Sequence, residues 1–170
     1  GAILSIAYIF NIPLTTIQTG IAKFVANFKT KNKFNEISYL FKSSLKRLFG
    51  YGLIILFLFL IFSKFIADYL KIDILSLIIL APFIIFILLV PVIRGMLQGL
   101  QKFKDFGINL ISEGVSKFFL GILFVVIGFS VNGAISAITL SFIIAFFIGF
   151  FPLKKLMAKK LKKFNTKEIY

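Results

Sequence analysis

The side chains that could carry chemistry in this sequence are few and scattered. The chain of 170 residues contains no Cys and no His, which excludes a thiolate nucleophile, an imidazole base and His or Cys metal ligands. No two of its six acids are adjacent, so the paired carboxylates of acid–base or metal chemistry are missing as well. We therefore expect no enzymatic activity, no metal and no cofactor. The acids are Glu36, Asp68, Asp73, Asp105, Glu113 and Glu168.

Glu113 and Lys117 are an oppositely charged pair inside a long apolar segment. Their i,i+4 spacing puts both side chains on one helix face in the favourable order. Gly114, Gly121 and Gly128 share that face, within an arc of about 100°, where small residues let a neighbouring helix approach. Two interpretations are open: a structural ion pair near the cytoplasmic interface, or a cavity site where Lys117 meets an anionic group.

A polar stripe runs along the first apolar segment. Polar side chains at membrane depth face protein or water rather than lipid, so the stripe either lines a cavity or makes hydrogen bonds between helices. Its members fall within an arc of about 80°: Tyr8, Asn11, Thr15, Gln18 and Ala22.

The elements that must hold these groups are membrane helices. Hydrophobic residues make up 59% of the chain and charged residues 15%, with a mean hydropathy of +1.02, whereas soluble domains are about a quarter charged. Runs such as Leu53–Phe62 do not alternate as β-barrel strands do. We predict an all-α, polytopic transmembrane helical bundle. Residues 1–153 would form five spans, each long enough to cross a bilayer, at about 2–28, 46–68, 74–93, 106–129 and 131–153.

The net charge of +14 is distributed as such a bundle requires. Seventeen of the twenty Lys and Arg residues lie in regions 23–47, 94–104 and 154–167, which alternate with connections holding only two; Lys117 is the remaining one. Cytoplasmic connections carry the excess of Lys and Arg. We therefore expect a cell-membrane protein with Gly1 on the outer side and a Lys-rich cytoplasmic tail or linker at 154–170, and no nucleic-acid partner.

Residues 30–45 form an amphipathic segment between the first two spans. It predicts an interfacial helix that runs into the second span and rests on anionic lipid. Its apolar residues recur at helical spacing, with Lys42 and Lys46 on another side: Phe34, Ile37, Leu40, Phe41 and Leu45.

Small residues mark two candidate helix interfaces. Gly95 and Gly99 make a single GxxxG motif at the end of the third span, and Arg94 beside them is either a snorkelling anchor or a ligand for an anion. The fifth span has a small residue at every fourth position, which predicts a tightly packed face without chemistry: Gly133, Ala137, Ser141, Ala145 and Gly149.

A set of motifs extends over nearly the whole chain. It begins with IQTGIAKFVA at 17–26 and continues with PVIRGMLQGLQKF at 91–103, Gly107-Ile108-Asn109, Glu113 and Lys117. It ends with GFSVNGA at 128–134 and the Lys-rich link. These motifs resemble polysaccharide-biosynthesis flippases, the oligosaccharide-lipid exporters of the MATE-like (MOP) superfamily.

The resemblance implies two lobes of helices around a central cavity that opens alternately to each membrane face. The chain would correspond to helices two to six of the N-terminal lobe, a fragment whose partners are the first helix and the C-terminal lobe of the same protein. The implied activity is translocation of a polyprenyl-diphosphate-linked oligosaccharide. Lys23, Arg94 and Lys117 are then candidate diphosphate ligands toward the cytoplasmic side, and the polar stripe with Glu113 lines the cavity.

Two other functions are open. A MATE-type drug/cation antiporter couples to Na⁺ or H⁺ through intramembrane carboxylates, and Glu113 is the candidate that this sequence offers. A non-transporting membrane scaffold of a glycan-assembly complex would have an inner face that is packed throughout. The remaining expected partners are membrane lipids.

Overall fold

The computed structural model describes the backbone of residues 2–71 and 73–158, and side chains from Leu14 onward except at 70, 72 and 158. The expected all-α class is confirmed: nearly every described residue is helical. A π-helical segment, Val125–Phe129, joins α4 to α5, and a 3-10 turn, Phe151–Leu153, joins α5 to α6. The α-helices are α1 Ala2–Thr30, α2 Phe34–Leu70, α3 Ile74–Gly99, α4 Phe103–Phe124, α5 Ser130–Phe150 and α6 Lys154–Ala158.

Three stretches of the described residues are long and apolar enough to cross a membrane: Phe34–Tyr69, Ile74–Gly99 and Phe103–Met157. The third, of 55 residues, holds an antiparallel helix pair, because Gly121 lies beside Ala137 and Gly133 lies beside Phe124. The chain is therefore a helical membrane bundle, while the number of five crossings stays a prediction.

Successive helices alternate in direction. Gly95 and Gly99 on α3 meet Gln18 and Ala22 on α1 in the same order, so α1 and α3 are parallel. Ser76 hydrogen-bonds Asn132, and further along the chain Ile93 contacts Gly149, so α3 and α5 are parallel as well. The C-terminal ends of α1, α3 and α5, followed by Lys-rich sequence, thus lie at one end of the bundle.

The helix ends differ from the predicted spans at two connections. The amphipathic segment is the first part of the 37-residue helix α2, which starts after a turn closed by Asn32 in the left-handed region (φ 55°). The last connection turns at Gly128 (φ 101°) and Ser130 (φ 45°), so Asn132 and Gly133 belong to the first turns of α5. Both breaks arise from backbone conformations that a helix cannot contain.

The apolar face of the amphipathic segment packs against protein. Ile37 and Phe41 are fully buried, and with Leu45 they join a core that includes Ile93 and Met96 of α3. Lys46 on the same helix is exposed. Because the apolar face is buried in the core, the Lys-bearing side of this segment faces outward. The contact of the segment with anionic lipid stays a prediction.

Two connections at the Lys-rich end repeat one turn. Lys33 N donates to Phe28 O and Lys102 N donates to Leu97 O, both at 2.8 Å, each after a left-handed residue. Lys29 Nζ links the two turns by donating to the backbone oxygen of Leu100 at 2.8 Å. A cation at this position satisfies a carbonyl at the end of α3, where the helix dipole is negative.

Gly99 allows α1 and α3 to touch, and its replacement tests that contact. A Cβ there would lie 2.6 Å from both Ala22 O and Val25 Cβ. We expect Gly99→Ala to destabilise the bundle by about 1–3 kcal/mol, measured as a lower thermal unfolding midpoint in detergent. Gly107→Ala on α4 is the matched control, since no described heavy atom of a neighbouring element lies within 4 Å of that Cβ and alanine favours a helix. Equal midpoints for the two variants would contradict the contact.

Candidate functional site

A polar network joins α3, α4 and α5 inside the bundle. Arg94 on α3 donates through Nε to Asn109 Oδ1 at 2.8 Å and through Nη2 to a carboxylate oxygen of Glu113, both on α4. Asn109 Nδ2 donates in turn to the backbone oxygen of Ala145 on α5. Asn109 is fully buried, and the side chains of Arg94 and Glu113 are 15% and 13% exposed. One connected set of bonds therefore holds three helices together.

Lys117 completes the network at its exposed end. Its Nζ lies 3.3 Å from Glu113 Oε1 and 5.8 Å from the centre of the Phe142 ring on α5. Its side chain is 45% exposed. Arg94, Asn109, Glu113 and Lys117 are called the charge cluster below. Because one carboxylate is shared by two cations, the cluster carries one uncompensated positive charge.

Of the two cations in the charge cluster, Arg94 lies further inside its helix than the predicted span suggested, because α3 continues to Gly99. Lys117, at the centre of its predicted span, lies past the middle of α4. Arg94 lies within α3, and its side chain turns inward to Asn109 and Glu113 rather than snorkelling outward. The i,i+4 pair of Glu113 and Lys117 is therefore one half of a larger arrangement.

The small residues of α5 make room for the charge cluster. All five positions of the stripe, from Gly133 to Gly149, are buried. A Cβ on Gly149 would lie 2.7 Å from Asn109 Nδ2 and would collide with Ile93. Only glycine at this position lets α5 approach close enough for Ala145 O to accept the hydrogen bond from Asn109.

The glycine face expected on the fourth span shows no close helix approach among the described residues, and its role as a helix interface stays a prediction. A Cβ on Gly114 or Gly128 would meet no described heavy atom within 4 Å, and one on Gly121 would meet Ala137 Cβ at an ordinary 3.9 Å. Gly128 has a different role, because its φ of 101° breaks the helix before α5. The close approach to α4 comes instead from α5, at Gly133 and Gly149.

The polar stripe of α1 faces α3 at its described end. Gln18 Nε2 donates to Gln98 Oε1 at 3.2 Å, and the backbone oxygen of Ala22 lies against Gly99. Gln18 therefore makes a hydrogen bond between helices, which is the second of the two alternatives for the stripe. Thr15 is exposed, and the side chains of Tyr8 and Asn11 lie outside the described residues.

Lys23 is not brought to the other two candidate cations. It is exposed on α1, and no hydrogen bond or ion pair joins it to Arg94 or Lys117 among the described side chains. Arg94 and Lys117, by contrast, share the carboxylate of Glu113. The structure thus assembles two of the three candidate diphosphate ligands.

Sequence reasoning missed the uncharged polar partners. Asn109 was noticed only as part of a motif, and Gln98 was not singled out, although each makes a bond between helices. The available signal was the presence of an amide side chain inside an otherwise apolar helix, because such a group needs a partner when buried.

The N-terminal ends of α3 and α5 line a shallow, open cavity of about 290 Å³. Asp73 caps α3 by accepting from Leu75 N at 3.1 Å, and Ser76 donates to Asn132. These polar groups already have partners, so they offer no obvious site. The lining residues are Asp73, Ser76, Phe129, Ser130, Val131 and Asn132.

Comparison with known proteins assigns the bundle to a family. Residues 1–123 match the MatE family. The chain belongs to this family. Because MatE proteins are membrane transporters, the family assigns this multi-pass helical chain to membrane transport. No curated protein and no solved structure shows significant similarity to it. Within the described part of this MatE chain there is no group of three or more acids that could hold a metal ion.

Asn109 should be the structural centre of the charge cluster. Asn109→Leu keeps the volume but leaves Ala145 O and Arg94 Nε without their partner, so we expect a loss of about 1–3 kcal/mol and a lower unfolding midpoint. Ser112→Ala is the control, because Ser112 Oγ only bonds Asn109 O within the same helix, at 2.9 Å. An Asn109→Leu midpoint as high as that of Ser112→Ala would contradict this role.

Proposed function

We propose that the chain is part of a flippase that moves a polyprenyl-diphosphate-linked oligosaccharide from the cytoplasmic to the outer leaflet by alternating access. The supporting observation is the uncompensated positive charge of the charge cluster within a membrane bundle. A charge inside a membrane bundle is costly unless an anion or water meets it. The diphosphate of the substrate would supply the anion.

The charge cluster keeps donors available for phosphate oxygens. Asn109 and Glu113 engage two N–H groups of Arg94, whereas a guanidinium has five. Lys117 points one N–H at Glu113 and is 45% exposed, leaving further ammonium hydrogens for a ligand. Arg supplies planar, paired donors and Lys a mobile point charge, which together suit a diphosphate.

The proposed orientation puts the Lys-rich ends of α1, α3 and α5 in the cytoplasm of a cell-membrane protein. Arg94 lies one to two turns from the end of α3 at Gly99, on that side of the bundle. A headgroup arriving from the cytoplasm would then reach Arg94 before Lys117. Membrane lipids and further helices of the same protein would complete the surroundings.

A drug/cation antiporter is less well supported by the same site. Such a transporter needs an intramembrane carboxylate that can accept a cation from solution. Glu113 already has one bond to Arg94 and one to Lys117. The remaining described acids lie toward helix ends, at Glu36, Asp68, Asp73 and Asp105.

Neutralisation of the candidate cations tests the proposal. Arg94→Gln and Lys117→Gln should each lower export of surface glycan by about tenfold or more, since a hydrogen bond to a charged group contributes about 1.5–3 kcal/mol. Lys23→Gln tests the third candidate, on the separate surface of α1. Export would be measured at matched amounts of each variant in the membrane. Lys64→Gln, near the C-terminal end of α2, is the control. Wild-type export by both Arg94→Gln and Lys117→Gln would contradict the proposal.

A further inference from the structure

Glu113 occupies a place on Arg94 that an anionic ligand also needs. Its carboxylate accepts from Nη2 of Arg94 with one oxygen and lies 3.3 Å from Nζ of Lys117 with the other. Phosphate oxygens make the same charge-assisted hydrogen bonds to guanidinium and ammonium groups. A diphosphate that binds both cations therefore competes with the carboxylate of this chain.

Arg94 has a second anchor that does not depend on Glu113. Asn109 accepts from Arg94 Nε at 2.8 Å and is itself fixed by its bond to Ala145 O and by the close approach of Gly149. Asn109 is fully buried, so this anchor is enclosed by protein. The guanidinium can exchange the anion at Nη2 while Nε stays held.

Glu113 likewise has a second partner to which it can remain bound. Lys117 lies one helical turn further along α4, at the i,i+4 spacing that suits a Glu–Lys pair. Loss of the bond to Arg94 would leave Glu113 paired on its own helix. The bond that joins α3 to α4 through charge is therefore the one that a ligand would replace.

We propose that Glu113 is a built-in counter-ion that neutralises Arg94 in the empty transporter and that the diphosphate of the substrate displaces from it. This inference rests on the proposed function and adds to it the exchange of one anion for another at Arg94. It predicts whether ligand binding becomes tighter or weaker when the charge of Glu113 is removed. A counter-ion weakens ligand binding, whereas a purely structural acid supports it by holding Arg94 in place.

Binding of farnesyl diphosphate to the purified chain in lipid nanodiscs would distinguish these roles. Farnesol, which has the same tail without the diphosphate, corrects for partition into lipid. The variants are Glu113→Gln, Arg94→Gln and Asp105→Asn. Asp105→Asn is the matched control, because it removes one negative charge from the same helix at an exposed ion pair, 3.9 Å from Lys102.

We expect Glu113→Gln to bind farnesyl diphosphate roughly threefold to tenfold more tightly than the unaltered chain, with a larger rise in unfolding midpoint on binding. Asp105→Asn should change the Kd by less than about twofold, and Arg94→Gln should weaken binding by about tenfold. Should Glu113→Gln fail to fold, Glu113→Asp serves in its place. Its carboxylate is one methylene shorter and loses its reach to Arg94, so tighter binding is expected again at unchanged net charge.

Two results would overturn the inference: one leaves the proposed function intact and the other overturns it as well. If Arg94→Gln weakens binding but the Glu113 variants bind equally or less tightly, Glu113 is structural and the diphosphate site stands. If the unaltered chain and every variant bind farnesyl diphosphate no better than farnesol, the inference and the proposed function both fail.

Discussion

The bundle depends on one requirement: a guanidinium enclosed by helices must be paired. Removing one partner of a buried charge pair typically costs about 3–5 kcal/mol, so Arg94 constrains what surrounds it. Asn109 and Glu113 satisfy it from α4. Asn109 then requires an acceptor, which Ala145 provides because Gly149 lets α5 come close. The stripe of small residues on α5 and the charges on α3 and α4 are in this sense one feature.

The same requirement connects the packing of the bundle to transport. A charge cluster that only held helices together would be most stable with equal numbers of positive and negative charges. This cluster instead has two cations, Arg94 and Lys117, for the single carboxylate of Glu113. The excess charge lies toward Lys117, the more exposed of the two cations. In a transporter the helices must also move past one another, and under the proposed exchange of anions at Arg94 the ion pair between α3 and α4 would couple ligand binding to that movement.

The sequence predicted those features that depend on residues close together along the chain. Long apolar runs without alternation predicted the all-α class, and the every-fourth-residue pattern located the face of α5 that is buried. The pairing of Arg94 with Glu113 was not predictable, because the residues lie 19 positions apart on different helices and meet only through the packing of α3 on α4. The same limit applies to Gly114 and Gly128: spacing shows that these residues share a face but does not say whether a neighbouring helix covers it.

The most direct measurement concerns whether the charge cluster opens onto water. The chain has no Cys, so a single Lys117→Cys variant in sealed vesicles can be tested with a membrane-impermeant maleimide. Phe119→Cys is the control, since it is 65% exposed in the native chain but lies about 200° around α4 from position 117. We predict labelling at 117 and none at 119. Labelling at 119 with protection at 117 would mean that the charged face is sealed inside protein and takes no substrate.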